Sequence, residues 1–342
     1  MIYRSKAPLR IGLAGGGTDV SPYSDEFGGA ILNATISLYA HASIEPLHTN
    51  NIELIAFDRI ETETFPFQTA LPINGTLDLL KGVYNRIQAD YPGLIKTGFR
   101  LSTAVDAPAG SGLGTSSTLV VAIIGAFVEM LQLPLGDYDI AHYAYEIERN
   151  DLQLSGGRQD QYAATFGGVN FMEFYANDKV IVNPLRVRQE YLNELEHNLL
   201  LFFTATSRES AIIIQEQQKN VHNKKQSSIE AMHQMKEQAK MMKEALLKGQ
   251  IHEIGHILDY GFMQKKQMAN SISNPLIENI YSAAKNAGAT GGKISGAGGG
   301  GFMTFYCPNN TRYAVMQALQ AFGGEIKQYH FTQNGLTTWT TK

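Results

Sequence analysis

Cysteine is almost missing from this chain: Cys307 is the only one in 342 residues. A lone thiol excludes an internal disulfide, so the fold rests on its core, as is usual in a reducing compartment. Long apolar runs are missing too. The longest, Leu119 to Val128, is too short to cross a bilayer, and Met1-Ile2-Tyr3-Arg4-Ser5-Lys6 lacks the apolar centre of a signal peptide. The expectation is a cytoplasmic protein with no membrane partner. There is no positive excess either: a net charge of −4 excludes nucleic-acid binding through bulk charge, while a local basic pocket remains compatible with it. Internal repeats and low-complexity linkers are absent. What remains, 44% hydrophobic and 18% charged, is an ordinary globular composition, long enough for two domains. The boundary falls between Tyr175 and Asn198, which divides the chain into residues 1–185 and 186–342.

Glycine is plentiful instead, with 33 residues, and it clusters. The chain is organised around Pro108-Ala109-Gly110-Ser111-Gly112-Leu113-Gly114-Thr115-Ser116-Ser117 and the apolar run that follows from Thr118. Alternating glycines carry no Cβ, so an anion can approach the backbone N–H groups closely. The apolar run reads as a buried helix, and a helix start presents unpaired N–H donors and about half a positive charge. Together they make a seat for the phosphates of a nucleotide triphosphate. The hydroxyls of Thr115, Ser116 and Ser117 are placed for phosphate oxygens or magnesium. The stretch is neither a Walker A loop, which closes on Gly-Lys-Ser/Thr, nor a G-x-G-x-x-G fingerprint, because Thr115 stands at the last position. The same letters also describe a plain loop ahead of a core helix, with Thr115 or Ser116 as N-cap.

Leu9-Arg10-Ile11-Gly12-Leu13-Ala14 alternates with period two and predicts a strand, with Arg10 beside Gly12 on one face. Gly15-Gly16-Gly17-Thr18-Asp19 ends it, and Ser21-Pro22 predicts a helix start with proline at the first helical position. A helix runs from Asp137 to Asn150. At steps of about 100°, Ile140, Ala144 and Ile147 form its apolar face, Glu148 sits at the edge of that face and Glu146 lies opposite. Gly156-Gly157 then precedes a short helix carrying Asp160, a residue equally suited to cap it. Ile229, Met232, Met235, Ala239, Met242 and Leu246 form a helical packing stripe, turned either inward or onto a second copy of the chain. A homodimer therefore stays open. Gly291 to Gly301 is a second glycine-rich stretch, running into the strand-like Phe302-Met303-Thr304-Phe305-Tyr306.

Three stretches, in order, resemble the motifs of the GHMP kinases, the family of galactokinase, homoserine kinase, mevalonate kinase and phosphomevalonate kinase. They are Pro8-Leu9-Arg10 through Asp19, Pro108 through Ser117, and Lys293-Ile294-Ser295-Gly296-Ala297-Gly298-Gly299-Gly300, and they span essentially the whole chain. The resemblance implies an α+β fold in two domains, a ribosomal-protein-S5-domain-2-like N-terminal domain and a ferredoxin-like C-terminal domain, with the active site between them. It implies transfer of the ATP γ-phosphoryl to a sugar hydroxyl, with ATP and magnesium as cofactors. ATP would be held by Pro108, Gly110, Ser111, Gly112, Leu113, Gly114, Thr115, Ser116 and Ser117, and by Gly296, Gly298 and Gly299. Ser116 and Glu148 match the magnesium ligands, hard oxygen donors of the kind magnesium takes. Asp160 matches the catalytic aspartate that meets the attacking hydroxyl, and Arg10 the cation beside it that offsets charge on the phosphoryl. Gly17, Thr18 and Asp19 fall where the sugar binds. For a phosphate on the acceptor, Arg158, Arg208 and Lys6 are the candidate cations, since arginine suits bidentate phosphate binding. Lys293 belongs to the third motif, near the glycines on the nucleotide side.

The wording of the first motif, with Ile147-Glu148-Arg149 and Gly156-Gly157-Arg158-Gln159-Asp160-Gln161-Tyr162-Ala163-Ala164, looks most like the branch acting on D-glycero-D-manno-heptose 7-phosphate. L-fucose kinases share much of it. Galactokinases carry Gly-Glu-His-Thr-Asp where this chain has Gly15-Gly16-Gly17-Thr18-Asp19, which argues against galactose. The expected partners are ATP and a small sugar phosphate. A rival chemistry is spelled by His252-Glu253-Ile254-Gly255-His256, an H-E-x-x-H zinc motif with Glu278 downstream as a third ligand. Against it, Ile251, Ile254 and Leu258 make a separate apolar face and the histidines fall on the polar side. A non-catalytic nucleotide- or sugar-binding relative is the third reading, and a chain that keeps Asp160, Arg10, Ser116 and Glu148 has more than binding requires.

Overall fold

The computed structural model describes residues 1–206 and 210–342. The chain opens with the strand β1 (Ile2–Ala14), the short helix α1 (Tyr23–Phe27) and the long strand β2 (Gly29–Pro46). A hairpin of β3 (Asn51–Ala56) and β4 (Glu61–Pro66) precedes α2 (Asp78–Asp90), β5 (Phe99–Val105) and α3 (Thr115–Leu131). Then come α4 (Asp137–Glu146), α5 (Gln159–Phe166), and a second hairpin of β6 (Val169–Phe174) and β7 (Val180–Pro184). The remainder runs α6 (Gln189–Asn198), β8 (Leu199–Phe203), α7 (Ser210–His222), α8 (Gln226–Lys248), α9 (Ile254–Met268), α10 (Pro275–Asn286), β9 (Gly291–Ile294), β10 (Phe302–Tyr306), α11 (Arg312–Leu319), β11 (Glu325–Lys327) and β12 (Thr337–Thr341).

Among the described residues the strands make two sheets. The larger follows β12-β1-β2-β5-β3-β4, with β6 and β7 continuing from the first part of β2. The smaller is antiparallel in the order β11-β8-β10-β9, with helices between β8 and β9 and α11 between β10 and β11, which is the ferredoxin-like arrangement. A cut at 185/186 leaves one strand on the wrong side: β12 follows the smaller sheet in sequence but pairs with β1, from Ile2↔Thr341 to Lys6↔Thr337. Among the described residues no helix is long and apolar enough to cross a membrane.

One face of the large sheet packs Leu54, Phe99 and Leu101 against Tyr84 of α2 and Val120, Ile124 and Phe127 of α3. Each such side chain contributes about 1.5–3 kcal/mol by leaving water. The second core joins the two sheets' territories. Leu9, Ile11 and Leu13 of β1 pack with Met242 and Leu246 of α8 and Leu258 of α9. Met232 and Met235 go into a third core with Phe262 and Phe305. The methionine-lined stripe is therefore used up inside the chain, and the question left open by its sequence is answered inward. Ser21 does not cap α1; Pro22 itself stands at the N-cap and the helix begins at Tyr23.

Candidate active site

Alternation in β1 sends Leu9, Ile11 and Leu13 into the core and turns Arg10 the other way. Pairing with β2 shifts register on both sides of it, between Pro8 and Arg10 and between Gly12 and Ala14. Such irregularities re-aim a side chain. Arg10 is 3% exposed, and its backbone N–H donates to Leu113 O at 3.2 Å. Its guanidinium donates to Gly112 O at 2.5 Å and, through Nε and Nη2, to Asp160 Oδ1 at 2.7 and 2.6 Å. Both bonds end on one carboxylate oxygen; Asp160 Oδ2 has no partner among the described residues, and the side chain keeps 24% of its exposure. Asp160 lies in the first turn of α5 and is not its cap.

The cap of α5 is Asp19. Its Oδ2 accepts the backbone N–H groups of Arg158 at 2.9 Å and Gln159 at 3.1 Å, donors that a helix start leaves unpaired. Asp19 is 2% exposed; burial, with repulsion from Asp160, pushes its carboxyl up, and the amides pull it back. Glu148 is buried for a reason the helical wheel does not contain. After α4 the chain widens into a π-helical turn, Ile147–Asp151, within which Glu148 is turned inward to 1% exposure. Its Oε2 accepts from Gln161 Nε2 at 2.5 Å, and that amide also donates to Ser117 Oγ at 3.1 Å. Burial pushes the Glu148 carboxyl up, with Arg149, Ser117 and Gln161 opposing. Glu146 stays at the surface end of the turn, accepting from Asn150.

The three glycine-rich stretches converge. Phe302 N–H donates to Ser111 O at 2.8 Å, and a Cβ added to Gly112, whose φ is +83°, would lie 2.6 Å from Ser295 O. A Cβ on Gly114 would lie 3.1 Å from Asp160 Cγ, so the start of α3 sits directly against the aspartate. Around this junction is a cleft of about 260 Å³. Arg10, Gly17, Asp19, Gly110, Gly112, Gly114, Thr115, Ser116, Ser117, Glu148, Asp160 and Gly296 line it.

The other expected residues among those described do not line it. Pro108 is exposed at the entry to the loop, Ser111 is buried beneath it, and Leu113 belongs to the core. Thr18 Oγ donates to Gly15 O and accepts from Ala30 N–H, fixing the loop rather than facing a ligand. Gly298 and Gly299 pack against Ile272, with Gly299 N–H donating to Ile272 O. Lys6 lies along β1 with its ammonium 4.7 Å from the centre of the Tyr39 ring. Arg158 is 4% exposed and engaged with Asp25 at 2.8 Å, Asp178 at 3.2 Å and Tyr175 O at 2.8 Å, so its guanidinium is not free for a phosphate. Arg208 lies outside the described residues. Arg158→Met is accordingly expected to destabilise the fold by about 1–3 kcal/mol, because a buried cation leaves its partners behind. Urea denaturation checks it; unchanged stability with a raised acceptor KM would return Arg158 to the binding site.

Three cleft residues had no role in the sequence reading. Lys265 of α9 is 2% exposed and donates to Gly296 O at 2.5 Å; burial, with Arg10 nearby and Asp19 opposing, lowers its ammonium to about 8. A signal did exist. Lys265 continues the Ile251, Ile254, Leu258 face seven residues on, a charge in register with core positions. Arg149 donates to Leu154 O and Gly157 O and stands 3.7 Å from Glu148. Gln217 on α7 lines the cleft as well, beside Gly17. Lys293 donates to Gly12 O at 2.5 Å, its amine pushed well down by burial, then by Lys265 and Arg10.

The zinc reading finds no support in geometry. His252 lies in a 3₁₀ turn with its imidazole exposed against Glu253, and Glu278 accepts from Lys266 and Ser273. Among the described residues no group of three or more His, Cys, Asp or Glu could hold a metal.

Known proteins place this architecture. Residues 78–168 match the model of the GHMP kinases N terminal domain, and residues 242–325 that of the GHMP kinases C terminal region. The chain is 45% identical to the D-glycero-alpha-D-manno-heptose 7-phosphate kinase of Campylobacter jejuni, over 98% of each chain. It is 27% identical to the L-fucokinase/L-fucose-1-P guanylyltransferase of Bacteroides fragilis, over 87% of this chain but only 34% of that larger protein. The crystal structure of a D-glycero-D-manno-heptose 1-phosphate kinase from Bacteroides thetaiotaomicron superposes with a TM-score of 0.85, at 45% identity and 99% coverage of both chains. With kinases of this kind matched end to end, the chain belongs to the GHMP kinase family and is a sugar kinase that takes its phosphoryl group from ATP.

Proposed function

We propose that the protein phosphorylates the anomeric hydroxyl of D-glycero-D-manno-heptose 7-phosphate, giving the 1,7-bisphosphate that leads to nucleotide-activated heptose for surface polysaccharide. The observation that carries the chemistry is the contact of Asp160 with both Arg10 and the start of α3, which sets an acceptor for the attacking hydroxyl beside the phosphate seat. The amides of the cleft-lining Gly110, Gly112 and Gly114 to Ser117 take the ATP phosphates, since the helix start of α3 supplies donors and a favourable field. A cavity of about 240 Å³, walled by Leu77, Leu80, Leu119 and Leu152 and edged by Asp58, Arg59 and Asp78, adjoins the cleft through Leu154 and suits the base. The attacking hydroxyl hydrogen-bonds to Asp160 and passes its proton to that carboxylate as its oxygen attacks the γ-phosphorus; the bond to the β-phosphate oxygen breaks, and ADP leaves with that electron pair. Arg10 offsets charge on the moving phosphoryl, so the residues act mainly by position and electrostatics. Asp19 accepts from a sugar hydroxyl.

A divalent metal fits the donors at the other end of the cleft. Glu148 is a buried carboxylate whose nearest cation stands 3.7 Å away, and hydroxyls adjoin it. Glu148 and Ser116 would hold magnesium, although the hydroxyl bonded into the Glu148 network is that of Ser117. When bound, the ion supplies positive charge to the phosphate oxygens.

The two closely similar heptose kinases differ in name over which end of the sugar already carries phosphate, and either order yields the same bisphosphate. ATP consumption with magnesium, measured on heptose 7-phosphate, heptose 1-phosphate, unphosphorylated heptose and L-fucose, decides. Turnover confined to the 7-phosphate is expected. Preference for the 1-phosphate would reverse the order, and preference for L-fucose would discard the heptose assignment.

A further inference from the structure

Two donors lining the cleft have, among the described residues, little or no use. Gln217 is 2% exposed, lines the cleft, and its Nε2 has no hydrogen-bond partner among the described residues. It stands over the first glycine loop: a Cβ on Gly17 would lie 3.3 Å from Gln217 Oε1. Lys265 has three N–H donors and, among the described residues, one acceptor, Gly296 O. Buried polar groups normally have partners, so open donors in a cleft point to a ligand rich in oxygen.

Asp19 faces the same space and decides which oxygens. It only accepts, while Gln217 Nε2 and Lys265 only donate. A hydroxyl satisfies both kinds at once, giving its proton to the carboxylate and taking a bond from the amide or ammonium. A phosphate offers acceptors alone and would bring negative charge against Asp19 and Asp160.

We propose that Gln217 and Lys265 bind the hydroxyls of the acceptor sugar, opposite Asp19, and thereby set which sugar this kinase accepts. The inference rests on the sugar-kinase reading of the cleft, but not on which sugar it is. Both residues come from helices outside the three glycine-rich stretches; among the described residues Gln217 makes no hydrogen bond to them, while Lys265 reaches Gly296 O of the third. The charge on Lys265 adds a pH handle. Arg10 from β1 and Lys293 from β9 disfavour its ammonium and Asp19 favours it, with Asp160 on α5 beyond Arg10. The ammonium, lowered to about 8, is lost as pH rises through that value.

The test uses Gln217→Leu and Lys265→Met with whichever sugar of the panel the wild-type protein phosphorylates. Each variant is expected to raise the acceptor KM by about tenfold or more while the ATP KM stays within about threefold, the signature of lost acceptor binding. In the wild type the acceptor KM climbs above about pH 8, and in Lys265→Met that climb is gone. An unchanged acceptor KM, or acceptor and ATP KM rising together, overturns the proposal. So does inorganic phosphate that competes with the acceptor in the wild type but not in Lys265→Met, because the site would then be one for phosphate. Should the wild type prefer a sugar other than the heptose, the substrate assignment fails and the same variants are scored on that sugar.

Discussion

Asp160→Ala lowers turnover by about 10²–10⁴-fold, equivalent to about 3–5 kcal/mol of barrier, with the ATP KM changed only slightly. The size follows from what the carboxylate touches. Oδ1 is already occupied by Arg10, which leaves Oδ2 for the acceptor hydroxyl. Without the side chain the hydroxyl loses its orienting acceptor, and Arg10 keeps only Gly112 O from its former pair of anchors. Asp160→Asn keeps the shape and separates the two contributions: an amide oxygen can still accept from Arg10, but it is a poor proton acceptor. Steady-state rates on purified variants check this. A turnover above about a tenth of wild type in the alanine variant would remove Asp160 from the catalytic role.

The second large effect concerns Glu148. Glu148→Gln is expected to raise the magnesium concentration needed for half-maximal rate by on the order of 10²-fold, since a neutral amide replaces a charged ligand. The fold should tolerate it, because the amide oxygen can still accept from Gln161 Nε2. Magnesium titration of the rate at saturating ATP checks this, and an unchanged requirement would place the metal elsewhere.

How much was readable beforehand depended on how local the cause was. The seat at the start of α3 is written in neighbouring letters, because glycines, hydroxyls and an apolar run decide its backbone together. Arg10 and Asp160 were legible as motif positions, though their contact across 150 residues of chain is a product of the fold. Arg158 misled for the same reason: nothing beside it in sequence announces that Asp25 and Asp178 will hold its guanidinium. The helical wheel ranked Glu148 above Glu146 correctly, yet the side chain is buried by a π-helical turn that a uniform step angle cannot represent. Asp19 reads as a sugar contact; that it caps α5 is hidden by a separation of 139 positions from Arg158. Lys265 was overlooked because an isolated lysine on a helix is ordinarily solvated, and only its register with the core face marked it.

The pairing of β12 with β1 bears on how the molecule is made. During synthesis the strand that carries Arg10 emerges ahead of its outer neighbour, which follows only after the entire smaller sheet. Until residues 337–341 leave the ribosome, β1 presents an open row of backbone donors and acceptors from Ile2 to Lys6, the kind of edge to which other chains can anneal. The larger sheet is therefore not a unit that finishes folding while the smaller sheet is still being translated, and its closing step waits for residues 337–341.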